Sequence, residues 1–211
     1  MASGEVALRS AEALVGDALP DRGLVEQCRR GDPQAFARLV ALHEGMVYGL
    51  AARLLGDGEE AKDLSQDVFL QIFRVLGRFE GRSSLKTWIY RIVVNQCRNR
   101  QRWWRRRRRE RSCPLDSLGP ADEARLTADE ASGPYQSLHK LELARHVQEA
   151  LLKVSFDHRA ILLLREVEGL SCEEIASTLG LAEGTVKSRL ARARESLRRL
   201  LLPHLKDEET S

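Results

Sequence analysis

The chain has few aromatic side chains. Phe, Trp and Tyr make up only 5% of its 211 residues, although 43% of the residues are hydrophobic and 31% are charged. A core with so few rings must be built mostly from aliphatic side chains. A composition rich in Leu, Ala, Arg and Glu is typical of helical bundles rather than sheets. The length allows one large or two small domains, and we expect an all-α protein.

The four cysteines lie far apart, and none has the CxxC or Cys/His spacing of a metal site or a redox motif. We therefore expect reduced thiols, no metal and no other cofactor. No hydrophobic run approaches the roughly 18 residues that a membrane span needs. The N-terminus also lacks the pattern of a signal peptide. These absences predict a soluble, cytoplasmic protein without membrane insertion.

Positive charge is concentrated in one stretch, although the net charge is only +3. Nine arginines lie between Arg98 and Arg111, against one acidic residue, Glu110. A run this dense repels itself, so it must lie in water or against a polyanion. Because Trp103 and Trp104 lie beside it, stacking on bases and contact with phosphates alone are both open interpretations.

The stretch from Glu168 to Leu201 has the pattern of a helix-turn-helix. Ser171 lies three residues before Glu174, which predicts a capping box at the start of a short helix. Gly180 supplies a residue that tolerates the positive φ at the end of that helix. The hydrophobic stripe of the next helix consists of Val186, Leu190, Ala193 and Leu197. Small, hydroxylic and basic residues on its other side suit a helix that enters the DNA major groove, although charge alone does not exclude an ordinary amphipathic surface helix.

Helical periodicity is also steady from Leu24 through the arginine run and again from about Tyr135. The proline-containing, acidic stretch between these regions predicts a linker. We predict two small helical domains joined by a flexible linker, the second with a helix-turn-helix. The predicted boundaries are a flexible N-terminal extension at 1–20, a first domain at 21–111, a linker at 112–134, a second domain at 135–203 and a tail at 204–211.

The predicted helix from Glu59 to about Leu76 has two distinct sides. Its buried stripe consists of Leu64, Val68, Ile72 and Val75, widened by Phe69, Phe73 and Leu76. A polar, mostly acidic stripe lies on another side and consists of Asp63, Gln66, Asp67 and Gln71. Periodicity alone favours a solvated face for this second stripe.

Three motifs, in order along the chain, resemble the bacterial RNA polymerase sigma factors of the extracytoplasmic-function (ECF) group of the sigma-70 family. The segment DLSQDVFLQIFR is similar to the part of region 2 that binds the clamp of core polymerase. FEGRSSLKTWIYRIVVNQCRN is similar to the part of region 2 that captures and melts the −10 promoter element. GLSCEEIASTLGLAEGTVKSRLARAR is similar to region 4, which binds the −35 element. The resemblance covers about Leu24 to Leu201, and Ala182 departs from it, since relatives often have Ser or Pro there.

The resemblance implies three sets of site residues and no catalytic residue. The set for binding core polymerase is Asp63, Gln66, Asp67, Phe69 and Gln71. The set for −10 recognition and melting is Phe79, Arg82, Ser83, Ser84, Lys86, Trp88, Tyr90, Arg91, Asn95 and Arg98. The set for −35 recognition is Thr185, Lys187, Ser188, Arg189, Arg192 and Arg194, of which Arg189 and Arg194 are expected on phosphates. In the family, the loop 79–84 holds a flipped base.

The implied function is promoter-specific transcription initiation with RNA polymerase core, contacted at its clamp and flap, and with promoter DNA. An anti-sigma factor is the further partner that the resemblance implies. One alternative is a helix-turn-helix regulator that binds DNA without polymerase. Another is an enzyme acting on nucleic acid, which is disfavoured because Asp63 and Asp67 have no identifiable partner group. The resemblance implies no role for the run Arg105 to Arg109.

Overall fold

The structure, a computed structural model, describes residues 18–111 and 134–208, which contain helices and no strand. Residues 112–133 of the predicted linker, the first 17 residues of the predicted extension and residues 209–211 of the predicted tail lie outside the described residues. The helices are α1 (Ala18–Arg29), α2 (Pro33–Leu55), α3 (Gly58–Val75), α4 (Leu85–Arg111), α5 (Pro134–Lys153), α6 (Phe156–Leu162), α7 (Cys172–Leu179) and α8 (Glu183–Glu208). A 3₁₀ turn, Leu76–Arg78, follows α3, and a π-helical turn, Leu163–Val167, follows α6.

Local sequence signals set the boundaries of the first long helices. Asp32 caps α2, because its carboxylate accepts hydrogen bonds from the backbone N–H groups of Gln34 and Ala35 at 2.9 and 3.3 Å. Gly56 ends α2 with a left-handed φ of 74°. Asp57 then caps α3 by accepting from the backbone N–H of Glu60 at 3.0 Å. Gly56 and Asp57 therefore separate α2 from α3.

The first domain packs α2, α3 and α4 around an aliphatic core, as the scarcity of aromatic residues predicts. The side chains that are at most 1% exposed include Leu39, Val47, Leu50 and Leu54 of α2, Leu64, Val68 and Ile72 of α3, and Leu85, Ile89, Tyr90, Val93, Val94 and Cys97 of α4. Burial also raises the pKa of the Cys97 thiol to about 12, so this cysteine stays protonated at neutral pH.

The second domain packs α5 to α8 around a core that includes Ile161, Leu163, Leu164, Ile175 and Val186. The predicted apolar stripe of α8 is confirmed, since Val186, Leu190 and Ala193 are buried and Leu197 is partly buried. Three helices extend beyond the predicted domain limits. Helix α1 begins at Ala18, inside the predicted extension, and α8 continues to Glu208, inside the predicted tail. Helix α5 begins at Pro134, the last residue of the predicted linker.

The two domains pack against each other through Arg159 of α6, whose side chain is 4% exposed. Its guanidinium donates hydrogen bonds to the carbonyl oxygens of Leu54, Leu152 and Val154 at 2.5, 2.8 and 3.1 Å. Leu54 lies in the last turn of α2, where the helix dipole favours a cation. Burial, with a smaller contribution from Arg105, lowers the pKa of Arg159 to about 10, so the group remains charged at neutral pH.

Close packing at the end of α2 adds to this contact. Gln148 of α5 donates a hydrogen bond to the carbonyl oxygen of Arg53 at 3.3 Å. The side chain of Leu152 lies so near Gly56 that a β-carbon on that glycine would come within 2.5 Å of its methyl groups. The sequence left open whether the domains pack together, and in this structure the second domain covers the C-terminal end of α2.

Candidate nucleic-acid and polymerase interfaces

The helix-turn-helix is formed by α7, the turn after it and α8. The predicted capping box is present. The Ser171 hydroxyl accepts from the Glu174 N–H at 3.1 Å, and the Glu174 carboxylate accepts from the Ser171 N–H at 2.8 Å. Gly180 ends α7 with a φ of 67°. Because Val186, Leu190 and the rest of the apolar stripe are turned into the core, the opposite side of α8 is turned to the surface.

The exposed side of α8 carries the residues predicted for −35 recognition. Lys187, Ser188, Arg192 and Arg194 are exposed, whereas Thr185 and Arg189 are partly buried. The Lys187 ammonium lies 2.7 Å from the Glu183 carboxylate, which raises the pKa of Lys187, and Arg194 lies 2.7 Å from Glu166. Within the described residues, Arg189 and Arg192 have no ion-pair partner. These two side chains can therefore bind an incoming anion without first breaking an ion pair.

Helix α3 has an exposed face that combines acidic and apolar residues. Asp63, Gln66 and Asp67 are exposed, as predicted for contact with polymerase. Leu70 and Phe73 lie beside them on the same face and are 53% and 63% exposed. Phe69 and Gln71 are partly buried.

Two features of this face differ from the sequence prediction. Phe73 was predicted in the buried stripe, but its ring is on the surface, edge-on to the ring of Phe36 at 5.1 Å. The prediction missed Leu70, although an apolar residue three to four positions after Gln66 and Asp67 must share their face. Asp67 is also partly engaged, because Arg100 donates hydrogen bonds to Asp67 at 3.1 Å and to Glu60 at 2.7 Å.

The loop predicted to hold a flipped base is packed at its two ends, while Glu80, Gly81 and Arg82 are exposed. The Phe79 ring is buried against Trp88, with ring centroids 5.3 Å apart. The Ser84 hydroxyl accepts from the Thr87 backbone N–H at 3.0 Å and therefore satisfies a free donor at the start of α4. Arg82 is exposed and paired with Glu80 at 2.6 Å, and Ser83 is partly buried.

The second domain engages several of the residues predicted for −10 recognition. Tyr90 is fully buried and its hydroxyl donates a hydrogen bond to Glu168. Arg91 donates to the carbonyl oxygen of Ser177 at 2.9 Å. Arg98 lies 3.2 Å from Asp157 and over the ring of Phe156 at 5.6 Å.

The remaining members of this set are less engaged. Trp88 is partly buried, and Lys86 and Asn95 are exposed. The ammonium of Lys86 lies 5.8 Å from the ring centre of Tyr90. In this arrangement of the domains, only part of the predicted −10 surface is open to DNA.

The described residues contain neither a candidate metal site nor a candidate membrane-spanning helix. No group of three or more His, Cys, Asp or Glu side chains there could hold a metal ion. None of the described helices is both long and apolar enough to cross a bilayer.

Comparison with known protein families and structures matches both domains. Residues 39–110 match the family Sigma-70 region 2, and residues 144–197 match Sigma-70, region 4. The chain is 35% identical over 192 residues to the RNA polymerase sigma-H factor of Pseudomonas aeruginosa, covering 89% of this chain and 96% of the relative. It is 34% identical over 184 residues to the ECF RNA polymerase sigma-E factor of Escherichia coli, covering 87% and 95%.

Two solved structures are similar to the whole two-domain arrangement. The sigma factor RpoE of Bartonella quintana, solved with the anti-sigma factor NepR, has a TM-score of 0.62 and 26% identity, covering 79% of this chain and 96% of its own. CnrH, solved with the cytosolic domain of CnrY, has a TM-score of 0.61 and 29% identity, covering 86% and 96%. With regions 2 and 4 both matched in order, the chain belongs to the ECF group of the sigma-70 family of RNA polymerase sigma factors, which is not a family of enzymes.

Proposed function

We propose that this sigma factor binds core polymerase through the exposed face of α3, captures the −10 element through the 79–84 loop and α4, and contacts the −35 element through α8. It acts in the cytoplasm by binding alone, without a covalent step. Asp63, Gln66 and Asp67 would meet basic groups of the clamp, and Leu70 and Phe73 would supply the apolar centre of that interface. This acidic and apolar face is the observation that carries the proposal.

The same face distinguishes a sigma factor from the alternative of a regulator that binds DNA without polymerase. Such a regulator needs α7 and α8 but has no use for the exposed Leu70 and Phe73 on α3. Large apolar side chains exposed beside charged ones are typical of a protein interface rather than of a solvated surface. The exposed side of α8 is compatible with both functions.

Promoter binding requires the two domains to separate. The −35 and −10 elements lie about 25 base pairs apart, which is about 85 Å of duplex at 3.4 Å per pair. A compact chain of this length has a diameter of only about 45 Å, so the packed form cannot contact both elements. Residues 112–133 could span up to about 70 Å when extended. Separation would also release Arg91 from Ser177 and Arg98 from Asp157.

We further propose control by an anti-sigma factor. The support is the similarity to RpoE, whose solved structure is a complex with the anti-sigma factor NepR. An inhibitor that holds the two domains together would keep Tyr90, Arg91 and Arg98 covered. If affinity capture from native cells recovers no dedicated inhibitor, this part of the proposal fails.

Run-off transcription with purified bacterial core polymerase and a library of genomic fragments tests the function. Transcripts that start at discrete sites only when this protein is added are the expected result. Asp63→Arg should weaken core binding on the order of a hundredfold, because a like charge at an interface costs several kcal/mol. Glu44→Arg, which reverses an exposed carboxylate on α2, is the matched control. Tight binding to duplex DNA without core, together with no initiation, would favour the regulator instead.

A further inference from the structure

The second half of α4 carries the arginine run to which the family resemblance assigns no role. One side of this part of the helix contacts the rest of the first domain. Arg100 bonds to Glu60 at 2.7 Å and to Asp67 at 3.1 Å, so its charge is compensated within the domain. Arg107 lies over the Trp103 ring at 4.3 Å, which covers a face that a base would need for stacking. These contacts favour phosphates over bases as the ligand of the run.

A different side of the same helix is open. Arg102 and Arg106 are exposed and make no ion pair or side-chain hydrogen bond with any part of the chain that the structure describes. They are four residues apart, so their like charges face each other across one helical turn and repel. A polyanion bound along this side would relieve that repulsion.

Helical spacing places these two arginines in line with the predicted −10 contacts. Arg91, Asn95, Arg98, Arg102 and Arg106 follow one another at steps of four, three, four and four. At about 100° per residue, they lie within about 80° of the helix circumference. Because α4 is continuous from Leu85 to Arg111, the stripe runs about 22 Å along one rod, the length of about six base pairs.

The direction of the stripe indicates which DNA it meets. Arg91 and Asn95 lie toward the start of the stripe, among the residues proposed to contact the −10 element. The end with Arg102 and Arg106 leads into the linker and then into the domain proposed to bind the −35 element. The open end of the stripe therefore points upstream of −10, toward the duplex between the two elements.

We propose that Arg102 and Arg106 form a phosphate-binding site for the duplex immediately upstream of the −10 element, a contact that is independent of sequence. The inference rests on the proposed function, since it needs −10 DNA on the first half of α4. Within this site the guanidinium groups neutralise backbone phosphates and release their counterions, so the contact weakens with salt.

The test compares salt dependence of promoter binding by holoenzyme, measured without nucleoside triphosphates so that no transcript is present. The slope of log K against log[salt] is negative, and each lost phosphate contact reduces its magnitude by about 0.9. Arg102→Gln with Arg106→Gln should therefore reduce the magnitude of the slope by about 1.8. The ratio of the wild-type binding constant to that of the glutamine variant should then fall roughly tenfold between 50 and 200 mM salt. Arg102→Lys with Arg106→Lys keeps the charge and should retain the wild-type slope.

Arg30→Gln with Arg145→Gln is the matched control, because it removes two exposed arginines from surface ion pairs away from α4. This control should leave the slope unchanged. A promoter whose upstream spacer carries neutral methylphosphonates should abolish the difference between wild type and the glutamine variant. The inference is overturned if the glutamine variant has the wild-type slope. It is also overturned if the glutamine substitutions weaken binding to the neutral spacer as much as binding to the charged one. Either result would leave the run as a solvated surface or a ligand for RNA.

The outcome also separates this inference from the proposed function. If wild-type protein with core polymerase gives no discrete run-off transcripts at 50 mM salt, the proposed function fails first. If wild type and the glutamine variant both initiate at the same sites at low salt and show the same salt slope, only the phosphate site fails.

Discussion

Arg159 of the second domain donates a hydrogen bond to the carbonyl oxygen of Leu54 in the first domain at 2.5 Å, across 105 positions of sequence. The same guanidinium donates hydrogen bonds to the carbonyl oxygens of Leu152 and Val154, so one buried cation caps the C-terminal ends of two helices, α2 and α5. Helix ends leave carbonyl groups without partners inside the helix. A buried arginine that supplies those donors ties the fold of one domain to the position of the other.

Replacing Arg159 with Met should lower the free energy of unfolding by about 2–4 kcal/mol, because three carbonyl groups lose their donor in a buried site. Urea unfolding followed by circular dichroism would measure the loss. Arg165→Met is the matched control, since Arg165 is partly buried and donates to the Leu170 carbonyl at 2.8 Å within its own domain. The control should cost about 1 kcal/mol. Equal losses in the two variants would contradict the bridging role of Arg159.

Tyr90→Phe should remove a pH dependence at alkaline pH. Burial, reinforced by the hydrogen bond to Glu168, raises the pKa of Tyr90 above its ordinary value of 10.0. The folded protein therefore keeps a proton that the unfolded chain loses, so the stability contributed by Tyr90 is present below pH 10 and is lost as the pH rises above it. Between pH 10 and 11 the wild type should lose up to about 1.4 kcal/mol relative to the variant. If the urea midpoints of the wild type and the variant change by the same amount from pH 8 to 11, this prediction is wrong.

Gly56→Ala should destabilise the protein more than Gly31→Ala. Both glycines have a left-handed φ, 74° and 82°, at which an alanine costs about 1–2 kcal/mol. A β-carbon at Gly31 meets nothing within 4 Å, whereas one at Gly56 comes within 2.5 Å of the Leu152 methyl groups. We expect Gly56→Ala to cost about 1 kcal/mol more than its control. Thermal unfolding of the two variants measures the difference. Equal losses of unfolding free energy would show that the Leu152 side chain moves aside without destabilising the protein.

The sequence predicted those parts of the fold whose signals are local. Ser171, Glu174 and Gly180 mark the ends of α7 within ten residues, and each forms the hydrogen bonds or backbone conformation that its position predicts. Periodicity likewise predicted the buried stripe of α8. It did not predict the exposure of Phe73, because α3 is apolar over a wide arc and spacing alone does not show where the neighbouring helix ends.

Contacts between the domains gave no sequence signal. Arg159 looks like an ordinary surface cation, since its partners are backbone carbonyls that any residue could supply. Tyr90 was predicted at the −10 surface, and only the packed domain places its hydroxyl on Glu168. The roles of the predicted contact residues on α3, α4 and α8 stay predictions.

Leu70→Ala should weaken binding to core polymerase by roughly 5- to 30-fold while leaving the unfolding transition unchanged. A buried apolar side chain at the centre of an interface is worth more than 1 kcal/mol when it is a hot spot. Because Leu70 is 53% exposed in the free protein, its truncation removes little from the core. Leu42→Ala, which truncates a leucine of α2 that is 68% exposed, is the matched control. Titration of fluorescent protein with core measures both, and equal affinities would remove Leu70 from the interface.

Arg192→Ala and Arg189→Ala should affect −35 binding in different ways. Arg192 is exposed on the outer side of α8, where a bidentate contact to a base edge is worth about 1–3 kcal/mol of discrimination. Its loss should therefore reduce the preference for the natural −35 element over a mutated one. Arg189 is partly buried on the flank, and its loss should weaken both sequences equally and lower the salt slope by about 0.9. Competition binding of holoenzyme to the two promoters separates the effects. If Arg192→Ala weakens both promoters equally, its contact is to phosphate, and the specificity of α8 must come from Lys187 and Ser188.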